Sequence, residues 1–217
     1  MILSAFASLV GMGGAPFTSI KLGQKDTDGA ERILGNCTAM LTVISVILTA
    51  VLLFVKQPIL FLFGASSATF PYANDYLAIY LIGTIAVQLS LGLNSFITAQ
   101  GFASTAMGTV LIGAICNIVL DPVFIFLFGM GVKGAALATI LSQAVSAIWV
   151  MHFLTGKKAL LKIRRKYLSF VCPDTGRILA LGLSPFIMQS TESLIQICFN
   201  MTLKQFGTDL DIGAMVT

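Results

Sequence analysis

The sequence predicts an all-α membrane protein, a polytopic bundle of about six transmembrane helices. Three observations carry that expectation. The 217 residues are 57% hydrophobic and only 10% charged, with a mean hydropathy of +0.94. Soluble chains carry about 25% charged residues, so too little polar surface exists here to coat a globule. Six windows of mostly apolar residues each reach the roughly 20 residues that cross a bilayer. Finally, lysine and arginine fall unevenly between the connections, as they do in membrane proteins of fixed orientation.

The windows run over 2–20, 33–55, 75–99, 105–128, 133–154 and 178–203. The first is apolar from its second residue, without a basic leader or a small-residue cleavage site. It reads as a mature span, not a signal peptide. Its "GMGGAP" is a bending or packing feature; no strand precedes it, so it is not a phosphate loop. "KLGQKDTDGAER" leads into the second window, and "KQPILFLFGASSATFPYAN" into the third. The third carries Gln88, Ser90, Asn94, Ser95 and Thr98, expected to bond helix to helix. "QGFAS" and "GMGVKG" are tight connections before the fourth and fifth windows. Small residues in "GAALATILSQ" of the fifth allow close helix approach. The 16 phenylalanines and nine methionines are expected to face lipid or core, a minority lining an adaptable cavity.

A long basic connection, "TGKKALLKIRRKYLSFVCPDTGR", precedes the sixth window. Within it, 159–170 has a basic and an apolar face and is expected to lie against anionic headgroups. No aromatic-rich basic fold accompanies it, so no nucleic-acid partner is expected. Threading the chain through the bilayer puts ten lysines and arginines on one side and three on the other (Lys56, Lys133 and Lys204). The richer side is therefore expected to be cytoplasmic, with both chain ends outside. An opening span without a preceding charge to orient it leads us to expect a segment before Met1, and the sequence to be a fragment.

Cys37, Cys116, Cys172 and Cys198 lack the spacing of a metal or redox motif, and His152 stands alone, so no cofactor or zinc site is expected. The chemistry lies in two acids. Asp121 sits inside "CNIVLDPVFIFLFG", where a charged aspartate costs roughly 2.5–3.5 kcal/mol on insertion scales. Protonation or a bound cation lowers that cost. Pro122 has no N–H, so the Ile118 carbonyl loses its helical donor. Asn117 precedes Asp121 by one turn on the same face. Carboxylate, amide and loosened carbonyl make an oxygen-rich patch suited to a hard monovalent cation or a proton. The competing reading is a structural Asp121, bonded to a neighbouring helix or to Lys133. Glu192 lies near the centre of the last window, among Gln189, Ser193, Gln196 and Asn200 at helical spacing. That stripe lines a central cavity or forms a packing seam. Pro185 can bend its helix.

"NIVLDPVFIFLFGMGVKGAALATILSQ" resembles the fifth and sixth helices of the multidrug and toxic compound extrusion family. "GMGGAPFTSIKLGQKDTDGAERILGN" resembles that family's second helix and following loop, and the segment 179–217 its seventh helix and the start of the eighth. The resemblance implies a partial chain of a twelve-helix, two-lobe transporter. It places the amino-terminal lobe over 1–155, a basic cytoplasmic linker over 156–177 and the start of the carboxy-terminal lobe over 178–217. It implies export of drugs or organic cations across the plasma membrane in antiport with Na+ or H+, and no enzyme activity. It puts Asp121, Asn117 and Thr139 on a cation site, and Glu192, with Gln189 and Gln196 beside it, on a coupling acid. The family's first helix, which often adds an acid to that site, and nearly all of the second lobe are missing from the match. Three alternatives are a lipid-linked precursor flippase, a non-catalytic membrane scaffold and an intramembrane enzyme. A flippase calls for a more basic cavity, and an enzyme for converging catalytic groups.

Overall fold

The computed structural model describes residues 2–63, 65–168 and 174–206. Cys172, the end of the basic segment (169–170) and the expected start of an eighth helix (207–217) lie outside the described residues, as does the side chain of Lys204. Among the described residues the fold has seven α-helices: α1 (Ile2–Gly23), α2 (Thr27–Leu62), α3 (Phe70–Ile82), α4 (Thr84–Ala99), α5 (Ala103–Pro122), α6 (Val132–Thr155) and α7 (Thr175–Phe206). Five are long and apolar enough to cross a membrane; α3 and α4 together make the sixth candidate, bent by 60°. The third window is thus one broken span, not one straight helix. The break falls at Gly83, which is buried where an added Cβ would lie 2.6 Å from the Ile140 side chain of α6.

α1 lies centrally, packed against α2, α4 and α7. α6 packs on α3, α4 and α5. Val10, Ile33, Leu34, Leu41, Leu93, Phe96, Ile97 and Leu154 form the closed core. Other large apolar side chains point outward, among them Phe54, Ile82 and Phe126, each at least 75% exposed. An apolar belt of this extent is unsuited to water and suited to acyl chains.

α2 begins ahead of the expected window, because Asp26 caps it. The Asp26 carboxylate accepts the Gly29 N–H at 2.9 Å and pairs with Lys21 at 3.0 Å. The carboxylate satisfies an unbonded amide of the first turn of α2, and Lys21, in the last turn of α1, suits that helix's C-terminal end. The Gly29 amide, and then the Lys21 ammonium, hold the Asp26 carboxyl below its ordinary value.

The described part of the basic connection is anchored to the helices. Over the described residues 156–168, a short 3₁₀ turn at Arg165–Tyr167 is its only helical element, and several of its groups bond to α2 and the end of α4. Leu161 is fully buried in the core, and its N–H donates to buried Gln100 Oε1 at 2.9 Å. The Lys162 N–H donates to Glu31 Oε1 at 3.3 Å, and Arg164 Nε meets Glu31 Oε2 at 2.5 Å. Tyr167 donates its hydroxyl to Asp28 at 2.9 Å. The reason is polar accounting: Glu31 is only 5% exposed, and a buried carboxylate needs donors. The connection supplies them. Arg164→Ala leaves that charge without its cation. We expect it to destabilise the chain by about 1–2 kcal/mol, below a fully buried pair because Arg164 is half-exposed. Thermal unfolding of purified protein reads this, with Arg165→Ala near neutral as the control.

Candidate cation site

Three helices converge on a cavity of about 260 Å³. α5 contributes Thr109, Gly113 and Asn117, which recur every four residues and so share one face over about 12 Å. α6 contributes Thr139, Ser142, Gln143 and Ser146; α4 contributes Ser90 and Asn94. Gly113 keeps the helices close, since a Cβ there would lie 2.5 Å from Ser146 Oγ.

The hydrogen bonds give the cavity its chemical sign. Thr109 donates to the Thr105 carbonyl at 3.2 Å, Thr139 to Ala135 at 2.9 Å, Ser142 to Thr139 at 2.8 Å and Ser146 to Thr109 at 3.2 Å. Ser90 donates to Gln143 Oε1 at 2.6 Å. Each hydroxyl hydrogen is thus spent on the protein, so the hydroxyls offer an occupant oxygen lone pairs, while the unpaired Asn117 amide N–H is a donor that a water in the cavity can take up. Asn94 donates to the Ala106 carbonyl at 3.3 Å while its buried Oδ1 has no partner. Asn117 Nδ2 is likewise buried without one. Unpaired buried polar atoms facing a polar cavity call for water or an ion. No lysine or arginine lines the cavity.

Asp121 lies one turn beyond Asn117, half-buried, in the last turn of α5. Asn117 and Thr139 meet in the cavity; the carboxylate is beside it along the helix but not in its lining. Pro122 ends the α-helical pattern. The chain continues as a π-helical turn over Val123–Leu127, in which the Phe128 N–H reaches the Val123 carbonyl at 3.0 Å. Such turns mark places where helix geometry can change. Lys133, weighed as a partner for Asp121, instead pairs with Asp75 at 3.3 Å. Among the described residues no cation lies within ion-pair distance of Asp121.

The α7 stripe divides. Gln189 donates to Ser8 Oγ of α1 at 2.6 Å, and Asn200 to the Phe63 carbonyl at 3.0 Å. These are packing contacts. Gln196 lines a second, largely apolar cavity of about 590 Å³ with Tyr76, Tyr80 and Leu91. Glu192 is exposed and lines neither cavity. Among the described residues no three His, Cys, Asp or Glu side chains cluster. The oxygen donors suit Na+ or a hydrated proton better than a transition metal.

Ser90, Asn94, Thr109, Ser142, Gln143 and Ser146 were missed as site residues by sequence reasoning. A signal existed: Thr109, Gly113, Asn117 and Asp121 are spaced four apart. Serines and threonines at such spacing are commonly helix glue, and only the convergence of three helices separates the two roles.

The MatE family model matches residues 1–123. The multidrug export protein MepA of Staphylococcus haemolyticus is 28% identical over 206 residues, which is 95% of this chain and 46% of that protein. The structure of the MATE multidrug transporter DinF-BH superposes with a TM-score of 0.93 at 36% identity, covering 99% of this chain and 48% of that one. An inward-facing multidrug resistance MATE transporter gives 0.85 at 26% identity, covering 91% and 45%. The chain spans about half the length of these relatives. It belongs to the MatE family of membrane transporters, and its helices form part of that fold.

Proposed function

We propose that the full-length protein exports drugs or organic cations across the cell membrane, driven by antiport of Na+ or H+. The observation that supports this best is the cavity between α4, α5 and α6: rich in hydroxyl and amide oxygens, without lysine or arginine among its described lining residues, and one helical turn from an acid that has no ion pair among the described residues. A cation entering the acceptor-rich region, or a proton on Asp121, removes the cost of an isolated carboxylate in a low-dielectric setting. Pro122 and the π-helical turn after it supply a place for the helix to respond. Among the described residues neither cavity is lined by lysine or arginine, which favours cationic or neutral cargo over the polyanions a lipid-precursor flippase handles. In this reading the chain needs the rest of the transporter, since alternating access moves one lobe against another.

The test uses the full-length protein in vesicles, a cationic dye, and imposed Na+ or proton gradients. Dye export should follow one gradient and stop when an ionophore collapses it. Export that continues with both gradients collapsed would overturn the antiport reading.

A further inference from the structure

The C-terminal end of α6 carries an unusual concentration of cations beside apolar surface. The described acids at that end are already matched: Asp26 with Lys21 at 3.0 Å, Asp28 with Lys166 at 3.9 Å, Glu31 with Arg164 and Asp174 with Arg32 and Arg177 at 3.8 and 3.6 Å. Lys157 and Lys158 are exposed and have no acidic partner among the described residues. With Trp149, His152, Phe153 and Thr105 they line a cavity of about 470 Å³ beside α6. On the other side of the same helix, between α4 and α6, lies an apolar groove of about 480 Å³ bounded by Ile85, Leu89, Ile148 and Met151. His152 belongs to both.

Two apolar troughs therefore share an imidazole on one helix, and the lining of one includes two ammonium groups with no acidic partner among the described residues. We infer that this is a binding site for one anionic glycerophospholipid. Its phosphate lies at Lys157, Lys158 and His152. One acyl chain lies along Trp149 and Phe153, and the other in the α4–α6 groove. The charge complementarity is specific to an anionic headgroup. Basic pockets between helices on the lysine-rich side of a membrane protein recognise such lipids, and tryptophan favours the same depth. The site is separate from the cation cavity, so it stands whether or not the transport reading does.

Trp149 is the only tryptophan in the chain and serves as a reporter. The chain is placed in phosphatidylcholine vesicles with a small fraction of phosphatidylglycerol, one or other lipid carrying brominated acyl chains that quench indole fluorescence. At equal mole fraction, brominated phosphatidylglycerol should occupy the Trp149 site at least about threefold more than brominated phosphatidylcholine. The double variant Lys157→Gln/Lys158→Gln should remove that preference, and each single change should lower it. Quenching by brominated phosphatidylcholine should stay as in the parent chain, which reports an intact fold. Lys25→Gln/Arg165→Gln, which removes two other cations without acidic partners, should leave the preference within about 1.5-fold, since interfacial attraction falls off over a Debye length. Inorganic phosphate should not relieve quenching. Equal quenching by both lipids, a preference that survives the double variant, or equal loss in the Lys25/Arg165 variant would each overturn the site.

Discussion

Asp121→Asn in the full-length protein is expected to cut gradient-driven export at least about tenfold while leaving its amount in the membrane unchanged. The argument is one of charge at constant shape. Asparagine keeps the side-chain volume and one oxygen, so the packing of α5 is preserved. It has no carboxylate to take up a proton and carries no charge for a cation to neutralise. An ion drives a conformational change only through its differential affinity for the two states, and each 1.4 kcal/mol of that difference is tenfold. The described structure leaves Asp121 free to supply this difference, because Lys133 is engaged by Asp75. A carboxylate locked in a permanent ion pair would have had less to give. Undiminished export by the asparagine variant would remove Asp121 from the mechanism.

Gly182→Val is expected to destabilise the chain by at least about 3 kcal/mol, beyond the usual range for overpacking. α1 and α7 cross where backbone meets backbone. A Cβ built on Gly182 would lie 1.8 Å from the Leu9 carbonyl oxygen, and one on Gly13 would lie 2.2 Å from the Ile178 carbonyl oxygen. No rotamer change relieves a clash with a carbonyl; the helices must separate. Separation also pulls apart the Gln189–Ser8 bond and the Phe6–Phe186 edge contact at 5.1 Å. Gly176, at the start of α7, has nothing within 4 Å of the equivalent position. Gly176→Ala should be neutral or slightly stabilising, because alanine is the better helix former. Unfolding in mixed micelles, followed by circular dichroism, compares the two. A Gly182→Val chain as stable as the parent would mean that this crossing is not close.

The spans were legible because the bilayer imposes a length and a composition on each, and those are written in consecutive residues. The acid at position 121 was legible for the same reason: it is expensive where it stands. Less could be read where the outcome depends on which helices meet. Ser90 and Asn94 look like ordinary helix glue until α4 is set beside α5 and α6. Glu192 stands on a polar stripe, yet the placement of α7 on α1 takes Gln189 inward and leaves the acid exposed. The basic segment was only partly legible for a third reason. Its alternation of apolar and basic residues fits a headgroup surface, but it fits equally a strand of chain that tucks Leu161 into a core and offers Arg164 to Glu31. That choice was decided by a buried acid more than a hundred residues earlier, as the sequence separation of 131 between Glu31 and Lys162 shows.

Infrared difference spectroscopy on the full-length transporter tests the oxygen-lined site most directly, because it observes the carboxylate itself. On addition of Na+ the Asp121 carboxylate stretch should shift; if the proton is the coupling ion, acidification should replace that band with the carbonyl stretch of a neutral acid. Either change should vanish in Asp121→Asn. A carboxylate signal indifferent to both Na+ and pH, or one that persists in the asparagine variant, would contradict the account.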